Sequence, residues 1–511
     1  MITDVAWFLG AFVVYLGIMV AIGIFFAGKN SDAEDYFLGG RSLGAFVAAF
    51  SAQASDMSGW SLMGLPGSVY ALGTGQSWIA VGLLIGTIAN WFLVSGRLRK
   101  YTIKAGNALT LPRFFENRFR DKKRILLQVS SITIVVFFLV YTASAFAAGG
   151  KLFNSVFGLD YTIALTIGAA VILTYTYMGG FLAVCTTDLI QGILMLVGIL
   201  AVPIIACTFV GVENIPGIIE QSGVAGGASS FLSLTMNGER PYTAVEILSQ
   251  LAWGLGYFGM PHVLVRFMAV KDDRELNKSK WIASVWVLLD LLFACLIGVI
   301  GRAYLFPTVL EGGASEKVFI EMVLQVFTRD IRLPLIGGLF LCGILAAIMS
   351  TADSQLLVSA SSVAEDLYKG ILRKDADDRQ VLKISRITVL LIAVIAYLIA
   401  LNPDSSIMLL VSDAWAGLGA AFGPLVLLSL FWKRTNMQGA VAGVITGGVT
   451  VILWDYIPFV SGQTIGTVTS LYSLLPGFIL SFLVIVVVSL MTPAPSEEIM
   501  KEYDEVQSQA D

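Results

Sequence analysis

One carboxylate stands where a lipid bilayer would make a charge expensive. Asp56 sits in the string Ser55-Asp56-Met57-Ser58-Gly59, which interrupts an apolar run from about Leu43 to Tyr70. An ionisable group at mid-membrane depth costs roughly 2.5–3.5 kcal/mol on insertion scales, and such residues face a pathway or an ion. Gly59 and the hydroxyls of Ser55 and Ser58 weaken the helix there, and Pro66 follows one to two turns on. The pattern predicts a helix broken near the bilayer midplane. Backbone carbonyls freed by such a break are tolerated only where they line a cavity or bind something. Secondary transporters build ion and substrate sites this way.

A second oxygen source lies in Ala346-Ala347-Ile348-Met349-Ser350-Thr351-Ala352-Asp353-Ser354. Ala347, Ser350 and Thr351 stand at i, i+3 and i+4, on one helical face. Carbonyls from one element and hydroxyls from another suit a small hard cation such as sodium, which prefers oxygen ligands. A third group is aromatic. Trp253 and Tyr257 lie in Trp253-Gly254-Leu255-Gly256-Tyr257-Phe258-Gly259-Met260-Pro261, another interrupted apolar segment, and Tyr141 lies in a further one. They offer a wall to an apolar ring, while freed N–H groups take a carboxylate. Asp188 reads as lining an ion route or favouring a helix start. Asp290 and Asp413 read as pathway residues or as partners of polar neighbours. His262, the only histidine, reads as structural or interfacial, near the end of its span.

The elements that must position these residues follow from composition. The chain has 511 residues, 57% hydrophobic and 13% charged, against about 25% charged in a soluble domain. It reads as an all-α polytopic membrane protein. Thirteen apolar segments approach the roughly 20 residues needed to cross, and they are numbered here as spans 1 to 13: 6–27, 43–70, 77–96, 126–150, 162–179, 185–210, 245–262, 281–303, 334–360, 385–402, 407–432, 437–456 and 471–491. With the N-terminus outside, 26 of the 32 Lys and Arg fall in inner loops, among them Lys29, Arg41 and the 97–124 loop, as the positive-inside rule requires. The C-terminus is then cytoplasmic. The tail after Thr492, with six acidic residues and two prolines, reads as disordered. The four cysteines read as small core residues, and no nucleotide loop, nucleophile elbow or metalloprotease motif is found, so catalysis is not expected.

The interrupted spans 2 and 7 lie five spans apart. That spacing predicts an inverted five-plus-five repeat with its site at the interface. The expected division is residues 1–42 (first helix and inner loop), 43–210 (first half, spans 2–6), 211–244 (outer loop), 245–432 (second half, spans 7–11), 433–491 (spans 12–13) and 492–511 (tail).

These strings carry a resemblance. Asp35-Tyr36-Phe37-Leu38-Gly39-Gly40-Arg41-Ser42-Leu43-Gly44, Ala54-Ser55-Asp56-Met57-Ser58-Gly59-Trp60, Gly64-Leu65-Pro66-Gly67, the Trp253–Gly259 string, Pro261-His262, Leu345-Ala346-Ala347 and Met349-Ser350-Thr351 are similar to those of the solute:sodium symporter family. The Ser-Asp-Met-Ser-Gly-Trp and Trp-Gly-Leu-Gly-Tyr-Phe-Gly strings favour its bacterial proline carriers over its sugar carriers. The likeness covers almost the whole chain. It implies an amino-acid/sodium symporter-like core and no cofactor, with sodium as a co-transported ligand. It implies sodium held by the carbonyls of Ala54, Met57 and Ala347 and the hydroxyls of Ser350 and Thr351, with Asp56 near the ion. Ser58, Gly59, Tyr141, Trp253, Tyr257 and Pro261 match positions tied to substrate or coupling. Arg41 matches a functionally sensitive cytoplasmic residue. The implied partners are L-proline, sodium and the bilayer of a bacterial cytoplasmic membrane, with no nucleic acid. The alternatives are another amino acid or pantothenate as solute, or a solute sensor. The chain departs from the enteric proline carriers at Gln53 (a glycine there), Met260 (a glutamine) and Ala352-Asp353 (Leu-Ser).

Overall fold

The computed structural model describes residues 2–27, 33–176, 180–460 and 462–510. Lys29 and the end of span 5 lie outside them. Within them apolar runs become helices, because a helix satisfies its own backbone where no water is available. Among the described residues, ten helices are long and apolar enough to cross a membrane: Asp4–Phe26, Thr74–Lys104, Ile125–Phe157, Phe181–Val210, Asp273–Tyr304, Pro334–Leu372, Asp378–Ile399, Ile407–Phe431, Met437–Tyr456 and Leu474–Met491. The other three expected spans are shorter or interrupted. Span 5 is the helix Tyr161–Thr176. Span 2 is built from Ala45–Asp56, a wide turn Trp60–Gly64 and Leu65–Leu72. Span 7 is built from Ala244–Leu251, a tight 3₁₀ segment Ala252–Gly259 and Pro261–Ala269. Among the described residues the only strands form two small hairpins at the surface.

Helix starts carry their own signals. Thr243 and Glu246 form a capping box ahead of span 7, and Asp272, Asp377, Ser406 and Asn436 cap spans 8, 10, 11 and 12. Pro261 opens the second half of span 7, where a missing N–H is harmless and φ is preset for helix.

One expectation is corrected, and two connections prove more regular than loops. The tail is not disordered: Glu497–Ala510 is a helix. Its Ile499, Tyr503 and Val506 are buried at i, i+4 and i+7, a stripe that the acidic count concealed. Its outer face pairs with the basic loops through Lys104–Glu505, Arg120–Glu498 and Arg120–Glu502. The 97–124 loop is largely helical, extending span 3 to Lys104 and adding Leu111–Phe119. The 211–244 segment also contains short helices at Ile215–Gln221 and Gly227–Phe231.

Spans 3 and 7 meet along a seam of small residues. A Cβ on Gly86 would stand 2.1 Å from the Gly254 carbonyl, and one on Gly82 2.4 Å from that of Leu251. Such close backbone approach is how membrane helices gain packing energy. Gly86→Ala is therefore expected to cost about 1–3 kcal/mol by overpacking and to lower the unfolding temperature in detergent. Gly10→Ala, where a Cβ meets nothing within 4 Å, should leave that temperature unchanged or raise it.

Candidate functional site

The centre of the molecule is made by a rerouted hydrogen bond. An unbroken helix would give the Ser58 N–H to Ala54 O. Here it goes to Asp56 O at 2.9 Å, and the Ser61 N–H goes to Ser58 O at 3.1 Å rather than to Met57 O. Met57 has ψ of 74°, which ends the helix. The carbonyls of Ala54 and Met57 thereby lose their usual partners. Span 9 supplies a new one to Ala54: Ser350 Oγ donates to Ala54 O at 2.7 Å and contacts Ala347 O at 3.2 Å, and Thr351 Oγ1 lies 3.5 Å from Ala54 O. Four of the five oxygens expected around sodium are thus gathered between spans 2 and 9. Ser350 and Thr351 are fully buried.

Gly59 sits where a Cβ would come within 2.8 Å of the Ala148 Cβ of span 4. Its smallness lets the restarted helix close against its neighbours. Ser58 Oγ accepts from the Trp60 N–H at 3.4 Å, and Trp60 Nε1 donates to Asp56 O at 3.0 Å.

The Asp56 side chain turns to span 7. Its Oδ2 accepts from the Tyr257 hydroxyl at 2.6 Å, while Oδ1 makes no hydrogen bond and lies 4.0 Å from His262 Nε2. His262 is not interfacial: it is fully buried, with its ring against Phe138 and Tyr141 at 5.5 and 6.2 Å. The turn at Met260 and Pro261 carries it into the core.

Trp253 and Tyr257 do not share one wall. Their segment has about three residues per turn, so i and i+4 diverge. Tyr257 reaches Asp56, whereas Trp253 stacks on Tyr472 at 5.1 Å and 20°. Trp415 of span 11 joins the two: it stacks on Trp253 at 6.5 Å, meets Tyr257 edge-on at 5.0 Å and donates to the Trp253 carbonyl at 2.8 Å. Neither Trp415 nor Tyr472 was found by sequence reasoning, since a lone aromatic in a span reads as packing. Tyr141 is fully buried, its hydroxyl turned toward Ser58 and Trp60. Pro261 lines a narrow cleft toward the basic end with Thr110, Phe181, Val265, Arg266 and Ser362.

Arg266 corrects the loop-charge assignment. It is a core residue, 1% exposed, inside the helix Pro261–Ala269. It donates to Ser51 Oγ, His262 O, Asp188 Oδ2 and Ser354 Oγ at 3.0, 2.8, 3.2 and 2.6 Å, tying spans 2, 6, 7 and 9. Asp188 also accepts from Ser51 at 2.6 Å. It lies eight residues into its helix Phe181–Val210, beyond a helix-start role. An acid set that far into a span needs a partner, and that need is the one sequence signal for Arg266. Asp413 accepts from the Tyr456 hydroxyl at 2.5 Å.

Both ends are tied shut. At the basic end Arg41 donates to Met268 O, Ala108 O, Asn107 Oδ1 and Thr102 Oγ1 at 2.6–3.2 Å. Burial lowers its guanidinium from the usual 12.5 to about 10, which leaves it charged at neutral pH. Leu43 pairs with Ala269 and Lys271 through two backbone bonds. At the other end Glu316 takes Lys151 Nζ at 2.5 Å, the Ser406 hydroxyl at 2.9 Å and the N–H groups of Ile407 and Met408 at 3.1 Å.

The profile of the Sodium:solute symporter family matches residues 36–447. The chain belongs to that family. It is similar to the osmoregulated proline transporter of Bacillus subtilis (strain 168), with 44% identity over 484 residues, 95% of this chain and 94% of that protein. It is 43% identical to the sodium/proline symporter of Escherichia coli (strain K12), over 97% of this chain and 95% of the relative. A solved structure of a Na⁺-coupled sialic acid symporter, substrate-bound and outward-open, superposes with a TM-score of 0.76 at 18% identity, covering 96% of this chain and 99% of that one. The fold is therefore that of a multi-pass membrane symporter, with broken spans 2 and 7 at its centre.

If the Tyr257 hydroxyl and the Asp56 carboxylate act as a unit, their mutations will not add. Tyr257→Phe should lower the unfolding temperature by removing a hydrogen bond to a charged group, worth about 1.5–3 kcal/mol. Asp56→Asn with Tyr257→Phe should cost less than the sum of the single changes. Strict additivity in a thermal-unfolding cycle would separate the two groups.

Proposed function

We propose that this protein carries L-proline inward together with sodium across a bacterial cytoplasmic membrane. The observation that supports it most is the Ala54 carbonyl, released by the helix break and facing Ser350 and Thr351 of span 9. Relatives 41–44% identical over nearly their whole length are named as proline transporters or sodium/proline symporters. In this reading sodium replaces the hydrogen-bonded contact between Ser350 and Ala54 O. It is held by the carbonyls of Ala54, Met57 and Ala347 and by the hydroxyls of Ser350 and Thr351. Asp56 supplies nearby negative charge and couples the ion to Tyr257.

Proline offers an apolar ring and a zwitterion. Trp253 takes the ring, and the groups around the break take the charges: Ser58, the backbone at Gly59, Tyr141 and Tyr257. Pro261 shapes the exit cleft. Arg41 at the basic end and Asp188 with Arg266 must part for release to the cytoplasm. Residues 43–210 and 245–432 act as the two halves that rock around the site, with the N-terminus outside and the C-terminus inside. Each inward charge gains about 2.3 kcal/mol per 100 mV of membrane potential.

Radiolabelled proline uptake in proteoliposomes tests this directly. Uptake should require an imposed sodium gradient and be competed by proline above other amino acids or pantothenate. Ser350→Ala and Thr351→Ala should each raise the sodium concentration for half-maximal uptake, because each removes one oxygen from a hard cation. A shift in the proline dependence alone would move span 9 to the other ligand. Trp253→Ala should weaken proline binding by about 1–3 kcal/mol through lost ring contact. Sodium binding measured separately should change less.

A further inference from the structure

The helix Glu497–Ala510 has no part in the site described so far, yet it grips the elements that close the basic end. Two kinds of contact hold it. One is apolar and buried. Tyr503 is the centre of the stripe that Ile499 and Val506 complete. Its ring meets Tyr101 of span 3 at 6.4 Å and lies 5.4 Å from the Arg118 guanidinium. Its hydroxyl donates to Leu430 O of span 11 at 3.3 Å, and Gln507 Nε2 donates to the same carbonyl at 2.6 Å.

The other kind is ionic. Lys104 pairs with Glu505 at 2.8 Å, Arg120 with Glu502 at 2.6 Å and with Glu498 at 3.3 Å, and Lys433 with Asp504 at 3.5 Å. Apart from Glu502, the partners are well exposed, from 35% at Arg120 to 76% at Glu498. Exposed pairs are individually weak, and salt screens them: the Debye length falls from about 10 Å at 0.1 M to about 3 Å at 1 M. A 14-residue helix is marginal in water by itself, so docking decides whether it forms. The buried stripe contributes a part that salt does not weaken, and the ionic ring contributes a part that it does.

What the helix clamps gives this balance a consequence. Lys104 is the last residue of the span 3 extension Ser95–Lys104, and Arg120 caps the helix Leu111–Phe119. The residues between those helices, 105–110, form a connector that takes part in the closure. Asn107 and Ala108 accept from Arg41. Thr110 Oγ1 donates to Asp366 Oδ1 of span 9 at 2.8 Å. Leu109 and Thr110 line the cleft that Pro261 and Ser362 also line. A helix tied to Lys104 and to Arg120 therefore fixes the connector at both of its ends.

We propose that the helix Glu497–Ala510 is an ionic-strength-sensitive brace of this closure. Docked at low salt, it holds the connector 105–110 across the cleft. At high salt it releases Lys104 and Arg120, and the basic end opens more readily. The proposal rests on the inward-transport reading only for the side of the membrane this end faces, the cytoplasm.

Inside-out membrane vesicles expose that side to the bath. The full chain carrying Ser362→Cys, a cleft-lining position, is labelled with a membrane-impermeant maleimide, and the chain with its own cysteines alone gives the background. Labelling in about 0.5 M choline chloride should be several-fold faster than in about 0.02 M, a range that spans the screening of the ring, with sorbitol holding osmolality constant. Glu498→Gln, Glu502→Gln and Glu505→Gln combined should label fast at both concentrations. Lys104→Glu should do the same, and adding Glu505→Lys should restore slow labelling at low salt. Trypsin cutting after Lys501, followed by mass spectrometry on the same vesicles, should rise in step with labelling. Labelling that ignores both salt and the triple substitution overturns the proposal, as does a Lys104→Glu effect that Glu505→Lys fails to reverse. Faster cutting with unchanged labelling also overturns it, because the helix would then undock without loosening the closure. The same salt response seen only in right-side-out vesicles would leave the brace standing and overturn the orientation, and with it the inward-transport reading.

Discussion

A backbone carbonyl inside a bilayer must have a partner, and the centre of this protein is organised around two that a helix break releases. When the Ser58 N–H turns to Asp56, Ala54 and Met57 lose theirs. Water cannot enter freely to replace them. The substitute is a helix face with hydroxyls at the same height, which is why Ser350 and Thr351 lie across from Ala54. The same break demands small residues around it. Gly59 has no room for a side chain against Ala148, so the helix resumes only because that position is glycine. In the sodium-coupled reading proposed above, the hydroxyl contacts to Ala54 O are what a cation would exchange.

The second broken helix is held to the first at three heights. Leu43 pairs with Ala269 and Lys271 at the basic end, Arg266 donates to Ser51 below the break, and Tyr257 donates to Asp56 at the break. Two of the three joints are electrostatic, and both reach further: Arg266 to spans 6 and 9, Asp56 toward His262. Closure at the opposite end has another basis. Glu316 caps the start of span 11 by accepting from its N–H groups, where a carboxylate also meets the positive end of the helix dipole. The two ends are thus closed by independent contacts, as a carrier that opens them in turn requires.

What the sequence disclosed and what it hid have physical reasons. The break at Asp56 was legible because a charge, a glycine and two serines clustered in an apolar run all act against a continuous helix. Ser350 and Thr351 were legible because their spacing fixes a face. Arg266 was hidden because a basic residue near the end of an apolar segment looks the same whether it snorkels out or turns in; only its partners decide, and Asp188 and Ser354 lie far away in the chain. Trp415 and Tyr472 were hidden because stacking depends on which helices touch. The divergence of Trp253 from Tyr257 was hidden by the assumption of 3.6 residues per turn in a segment that Gly254, Gly256 and Gly259 allow to wind tighter. The C-terminal helix was hidden because its acidic residues suggested a solvated chain, although they meet a loop of opposite charge.

The buried charges divide into two kinds, and the division explains where binding energy is available. Asp188 is compensated in charge: the Arg266 guanidinium and the Ser51 hydroxyl both reach its Oδ2. Removing the arginine would leave an uncompensated charge at a cost of several kcal/mol, about 3–5 by analogy with other buried pairs. Such a pair holds structure and offers little to a passing ion. Asp56 is compensated on one oxygen only, by a neutral hydroxyl. A neutral donor orients a carboxylate without cancelling its charge. Asp56 adjoins in the chain the residues whose carbonyls, Ala54 and Met57, lose their helical partners. In the reading proposed above, geometry supplies the ligands, and the incomplete compensation of Asp56 supplies the reason for a cation to choose them over water.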